Sequence, residues 1–339
     1  MRKVHIDDVQ PATVDDHFDA IMAEKEDIDP NPSEITPDDM PEWFNEELFR
    51  RGQQYYRRNK LAMGGASTLG LVAVLVIPTI LKVLTYTKSS STPCTAFKRY
   101  LETVLHTNYL YTCDFKDPNS KLYKSLNVIR YKHCINSRRS VNGGAGAITQ
   151  KNMVLTQFGF LGYALLRPKE LSLTNEPEER EGLNHLWRVV GHMIGIPDRL
   201  NLCRKNEAET TKLCERLMKE VFAKHMKEDP PNFREMTSIM LDGLRCVDVL
   251  LDADAFLAFT YEMTDLKYQR PLGLYSTLNF MFRSTLFTIL GLPYIGVVLR
   301  VYYNYYLAFN YWLQERWQLI AWLRFGKQNV HINVHPKLK

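Results

Sequence analysis

Apolar residues along the chain recur mostly at spacings of three and four, and period-two alternation is scarce, so the pattern predicts an all-α fold. A first helix is expected after Asp38 or Asp39 as cap, with Pro41 and Glu42 in its first turn and Trp43, Phe44, Leu48 and Phe49 as its apolar stripe. Next comes Leu61 to Leu81, uncharged between Lys60 and Lys82 and long enough to reach the roughly 20 residues of a membrane span. Its small-residue first half and Pro78 favour a buried helix over a span. The stretch TYTKSSSTP, Thr85 to Pro93, reads as a linker, and a helix bearing Arg99 and Thr103 follows it. The turn region DFKDPNS, Asp114 to Ser120, then leads into Lys124 to Arg139, a helix that carries His133 inward on the face of Leu126 and Ile129.

The pattern continues helical to the end. Gly143-Gly144-Ala145-Gly146 lacks both the Lys-Ser/Thr of a phosphate loop and the dinucleotide glycine order, so it reads as a turn. Met153 to Leu166 is apolar and stops at Arg167-Pro168, and Leu183 to Ile196 carries His185, Arg188 and His192. Asn201 to Lys227 is amphipathic up to Asp229-Pro230-Pro231, and Phe233 to Phe259 offers one more apolar helix face. Leu272 to Phe325 is rich in Tyr, Trp and Phe, and Arg283 and Arg300 enclose a sixteen-residue interval interrupted at Gly291-Leu292-Pro293. Such a segment serves either core packing or the interfacial layer of a membrane. The expected organisation is an acidic, flexible leader over 1–40, one large helical domain over 41–325, of which 272–325 is membrane-associated in the second reading, and a tail over 326–339.

Composition narrows the classes of function. A chain of 339 residues with 24% charged side chains buries a substantial core, and its net charge of +5, without an aromatic-interleaved basic stripe, gives no support for a nucleic-acid partner. The six cysteines are scattered without a C-x-x-C pair, which argues against structural zinc. The N-terminal MRKVHIDDVQ lacks the apolar core of a secretory signal, so the expected location is intracellular, in the cytoplasm or at the cytoplasmic face of a membrane such as the ER.

Candidate chemistry gathers at His133. A neutral imidazole on a half-apolar helix either packs in a core or ligates a metal or haem iron, and the flanking Lys124, Arg130, Lys132, Arg138 and Arg139 suit the propionates of a haem as well as solvent. Arg99 and Thr103, four residues apart, share a helix face, and Thr103 lies thirty residues before His133. Together with Phe49-Arg50-Arg51-Gly52-Gln53 and the block Trp187-Arg188-Val189-Val190-Gly191 ending in Gly195-Ile196, this arrangement resembles the latex-clearing protein, or rubber oxygenase, family over roughly Pro41 to Leu251. That family includes the ER-bound oxygenase of mycophenolic acid biosynthesis.

The resemblance implies a helical domain around a haem b pocket, with dioxygen and an unsaturated apolar small molecule, an isoprenoid or lipid, as co-substrates. His133 would be the proximal iron ligand, Arg99 and Arg130 would hold the cofactor, and Arg99, Thr103 and Glu102 would take the catalytic positions. In some relatives the residue before the threonine is a lysine; here it is Glu102, which puts the distal mechanism in question. Two alternatives remain: a non-catalytic helical relative that binds haem or lipid at a membrane, and a non-haem iron oxygenase built on His106, His133, His185 and His192. The last lacks any H-E-x-x-H or E-x-x-H spacing.

Overall fold

Thr13 accepts a hydrogen bond from the backbone N–H of Asp16 and so starts α1 (Val14–Ala23), which buries His17, Phe18 and Ile21. The computed structural model of the chain describes residues 9–88, 90–174 and 176–338. Within them the leader differs from the solvated segment expected of its acidic composition. Ile28 and Ile35 join the core, and Arg204 donates to the backbone carbonyls of Pro11, Ala12 and Thr13, so a few apolar anchors and one buried arginine outweigh the run of aspartates. The expected leader over residues 1–8 lies outside the described residues.

The first body helix begins later than its sequence signals suggested. Thr36 caps a 3₁₀ turn at Pro37–Asp39, while Asn45 accepts from Leu48 N–H and opens α2 (Glu46–Arg58). The apolar run divides into α3 (Lys60–Val74) and α4 (Pro78–Thr87), whose axes turn by 92°. Pro78 sits at the start of the second piece, where its missing N–H costs nothing, so it breaks the run rather than kinking it. Both pieces contribute to the core, through Leu69, Val72 and Ala73 in one and Ile80, Leu81 and Val83 in the other.

Thr92 and Thr95 form a capping box at the head of α5 (Pro93–Thr112), which lies beside α6 (Lys121–Asn142). There follow α7 (Gln150–Leu166) and α8 (Pro177–Met193). A π-helical turn at Met218–Phe222 joins α9 (Glu207–Leu217) to α10 (Ala223–Glu228). The run Phe233 to Phe259 is two helices, α11 (Phe233–Leu244) and α12 (Ala253–Met263), because Asp252 accepts from Ala255 N–H and caps a fresh start. Last come α13 (Leu274–Leu290), α14 (Ile295–Arg316), bent 114° from it, and the short α15 (Leu319–Phe325). Among the described residues there is no strand, only one isolated bridge between Asp27 and Thr149.

Glycine sets how closely the central helices meet. A Cβ added at Gly52 of α2 would stand 2.4 Å from the Gly182 carbonyl oxygen of α8, and one at Gly70 of α3 would stand 1.7 Å from the Gly159 carbonyl oxygen of α7. Both pairs therefore bring backbone against backbone, and any side chain there forces the helices apart. The two sequence blocks Phe49–Gln53 and Trp187–Gly191 belong to this layer. Gln53 Nε2 donates to the Cys113 carbonyl at 2.8 Å, and Trp187 Nε1 donates to the Tyr111 hydroxyl at 2.6 Å, so these blocks tie α2 and α8 to α5. No single helix among the described residues is long and apolar enough to cross a membrane. The tail packs too, since Val330 and Val334 are buried with Phe97, Leu101 and Leu105 of α5.

Candidate functional site

Helices α5 and α6 bring part of the expected constellation together. Arg99 and Thr103 occupy successive turns of α5, and Thr103 Oγ1 donates back to the Arg99 carbonyl at 3.1 Å. The Arg99 side chain extends toward Ser90, with Nη1 3.5 Å from its hydroxyl, and its guanidinium lies 5.6 Å from the Tyr100 ring centre. Across from it on α6, His133 is half-buried, yet its Nδ1 is enclosed and has no hydrogen-bond partner. Burial, and after it the positive charge of Arg99, pushes the imidazole pKa down to about 4. The ring is neutral at pH 7, with lone-pair character at one nitrogen, which is the form a metal requires.

Glu102 faces the same helix but is engaged. Its carboxylate takes the Lys132 ammonium at 2.6 Å, a clasp between α5 and α6 next to His133. Arg130 reaches elsewhere: Nη1 donates to the Met193 carbonyl at 3.4 Å, and the side chain borders a groove of about 930 Å³ shared with Pro30 to Thr36 and the tail. Thr103 opens on a different space, a cavity of about 390 Å³ with Thr107 beside it and Phe160, Phe287, Tyr306 and Tyr311 on its walls. Neither His133 nor Arg99 lines that cavity. One turn of α5 thus joins two half-sites, Arg99 with His133 on one side and Thr103 with the apolar cavity on the other.

His17 and His106 share with His133 an enclosed, unpartnered ring nitrogen, Nε2 in each, whereas His185 and His192 are occupied by structure. His185 Nε2 accepts from the Asn45 backbone N–H at 2.9 Å, which fixes the approach to α2. His192 Nδ1 pairs with Asp198 at 2.8 Å, and Asp198 also accepts from Trp43 Nε1. Trp43 separates the two imidazoles, with ring centres 5.8 and 5.7 Å from its own. Among the described residues no three His, Cys, Asp or Glu side chains converge to hold a metal ion, so the donor set that a non-haem iron centre needs is not assembled there. A haem asks less of the protein, one axial nitrogen and a place for its propionates; the neutral His133 and the Arg99 guanidinium have the chemistry for these two roles, and neither lines the groove beside Arg130 or the cavity below Thr103.

Periodicity did not find the cavity walls. Thr107 lies one turn beyond Thr103 and carried the same signal, whereas Phe287, Tyr306 and Tyr311 were hidden within the aromatic-rich run, whose members face core, cavity and solvent alike. Nor did spacing show that Ser125, fully buried on α6, stands between two imidazoles, 3.0 Å from His106 Nδ1 and 3.1 Å from His335 Nε2.

No family model and no curated protein matches this sequence. Among solved structures, latex clearing protein in the closed state aligns with a TM-score of 0.58 at 18% identity, over 81% of this chain and 76% of that one. The helices that carry Arg99, Thr103 and His133 are therefore set in a domain that shares the fold of latex clearing protein.

Proposed function

We propose that this chain is a haem-dependent oxygenase of an unsaturated apolar molecule, an isoprenoid or a lipid, with His133 as the proximal iron ligand. The observation that carries this reading is the enclosed, unpartnered Nδ1 of a neutral His133 beside Arg99, in a domain with the fold of latex clearing protein. Haem b, when bound, supplies the activation of dioxygen for attack on a carbon–carbon double bond. The chain does the rest. His133 offers its lone pair without first losing a proton, and Arg99 offers a permanent positive charge to a propionate. The wall of aromatic and aliphatic side chains below Thr103 holds an apolar chain away from water, and the Thr103 hydroxyl supplies the polar contact on the α5 side. The reading gives the cofactor's charge to Arg99, since Arg130 is turned to the end of α8.

Glu102 is assigned to the clasp with Lys132 rather than to proton transfer. Glu102→Gln should then cost about 0.5 kcal/mol of stability, as partly exposed ion pairs do, and change turnover by less than about tenfold. A loss of order 10²-fold or more at unchanged melting temperature would restore the base role.

An absorption spectrum of the purified chain, with and without added haemin, tests the cofactor directly. A Soret band whose intensity saturates at one haem per chain is the expected result. Its absence under both conditions would remove the oxygenase reading, and the apolar cavity would then favour the other class, a lipid-binding protein without redox chemistry.

A further inference from the structure

The last three helices turn large apolar side chains toward solvent in an ordered row. Along α14, Ile295, Val298, Tyr302, Tyr305, Phe309 and Trp312 follow at intervals of three and four, so they form one face, and all are exposed. On α13 Leu274, Leu278 and Met281 repeat the spacing, and on α15 Leu323 is 91% exposed. A continuous surface of this kind marks an interaction site rather than ordinary surface composition.

Its electrostatics identify the occupant. From Leu266 to Gln314 the sequence holds no Asp or Glu and four basic residues, Lys267, Arg270, Arg283 and Arg300. Arg283 is paired with Asp248 at 3.0 Å and Arg300 donates to the Asn59 side chain at 2.6 Å, and the sequence between the two arginines carries no charged residue. Exposed cations stand at the borders of the face, Lys267 and Arg270 before α13, then Arg316 and Lys327. Arg316 lies 4.6 Å from the Trp312 ring centre and Lys327 5.2 Å from that of Trp322, pairing each charge with an indole. An uncharged aliphatic and tyrosine face, bordered by tryptophan and then by cations, matches the depth profile of a membrane interface, where rings settle at the headgroups and cations meet lipid phosphates. A second copy of this chain would set the same basic border against itself. Neither helix alone is long and apolar enough to span, and the 114° bend between them lets both lie in the plane of a leaflet.

The same face reaches the cavity below Thr103. Phe282, Tyr302 and Tyr306 are exposed on one side and line the cavity on the other. We propose that the α13–α15 face docks in plane on an anionic lipid bilayer and that the cavity is filled from that bilayer. The docking stands without the haem assignment; only the use of the cavity for substrate rests on the proposed function.

Flotation of the full chain with phosphatidylcholine vesicles, with and without phosphatidylserine, tests it. The protein should float with the vesicles and do so more strongly when phosphatidylserine is present. Val298→Asp combined with Tyr305→Asp changes two side chains that stand in solvent, so the melting temperature and haem content should hold while partition falls by about tenfold or more. Arg316→Glu with Lys327→Glu should abolish the preference for phosphatidylserine. The proposal is overturned if the unmodified chain floats with neither vesicle, if the double aspartate variant partitions as before, or if the aspartates only dissolve a dimer seen by sedimentation while vesicles are ignored. Haem content read on the same samples keeps a failure of docking separate from a failure of the cofactor assignment.

Discussion

Acidification from pH 7 to pH 4 is expected to unfold this protein, and three histidines outside the proposed haem site carry most of the effect. Burial, the largest influence on each, pushes the pKa of His17 to about 4, of His106 to about 3 and of His185 to about 4, against 6.5 for an unperturbed imidazole. Between these values the unfolded chain binds more protons than the folded one, so stability is complete above about pH 6.5 and falls as pH drops toward 4. The hydrogen bonds give the same sign. His17 Nδ1 faces an Arg204 N–H at 2.9 Å and His185 Nε2 accepts from the Asn45 N–H, so a proton on either nitrogen removes the acceptor and sets donor against donor. Each histidine contributes on the order of 2–3 kcal/mol by pH 4, and together they approach the ~5–15 kcal/mol that holds a typical domain folded. Below that range Glu209 and Glu315, whose pKa values the Arg204 and Lys121 partners depress against the opposing effect of burial, add losses of the same sign. Melting temperatures followed by circular dichroism should fall steeply between pH 6.5 and 4; a flat curve from pH 7 to pH 5 would contradict the assignment.

The helical class was legible because an apolar period of 3.6 survives almost every tertiary context, and the placing of Arg99 and Thr103 on successive turns of one helix was legible from their four-residue spacing, whereas the weight given to His133 came from the family resemblance. Helix boundaries were less so. Pro78 and Asp252 act as starts, and each is seen as such only once the preceding helix has stopped at Val74 or Leu244. The leader was misjudged because composition averages over residues. Nine aspartates say solvent, while the contacts of Phe18, Ile21 and Ile35 decide where the backbone goes. Glu102 shows a different limit. Its spacing to Thr103 puts it in a catalytic block, but its partner, Lys132, belongs to another helix and is chosen by packing. The aromatic third allowed core or membrane interface equally, because a Tyr or Trp serves both; α14 alone has buried Tyr311 beside exposed Trp312.

Replacing His133 by alanine should leave a folded, helical protein that no longer holds haem. The side chain is half-buried at the α5–α6 contact and its enclosed Nδ1 makes no hydrogen bond, so its removal breaks no polar pair and leaves a small void, a cost of about 1–2 kcal/mol. The helices remain held by the Glu102–Lys132 clasp and by the buried Leu122, Leu126 and Tyr123 of α6. Iron ligation, by contrast, loses its donor: the other unpartnered imidazole of this helix pair, His106, lies two turns of α5 beyond Arg99 and does not take the place of His133. The expected spectrum is a chain with unchanged far-ultraviolet circular dichroism and no Soret band after removal of free haem. Free imidazole, entering the space that alanine vacates, should restore part of the band, which a purely structural role for His133 would not produce. Arg99→Ala makes the complementary case. It removes the cation that depresses the His133 pKa after burial, so the imidazole stays neutral less far into acid, and haem should bind but be lost at a higher pH than in the unmodified protein. A His133→Ala chain that keeps its full haem content with an unaltered spectrum would place the axial ligand elsewhere.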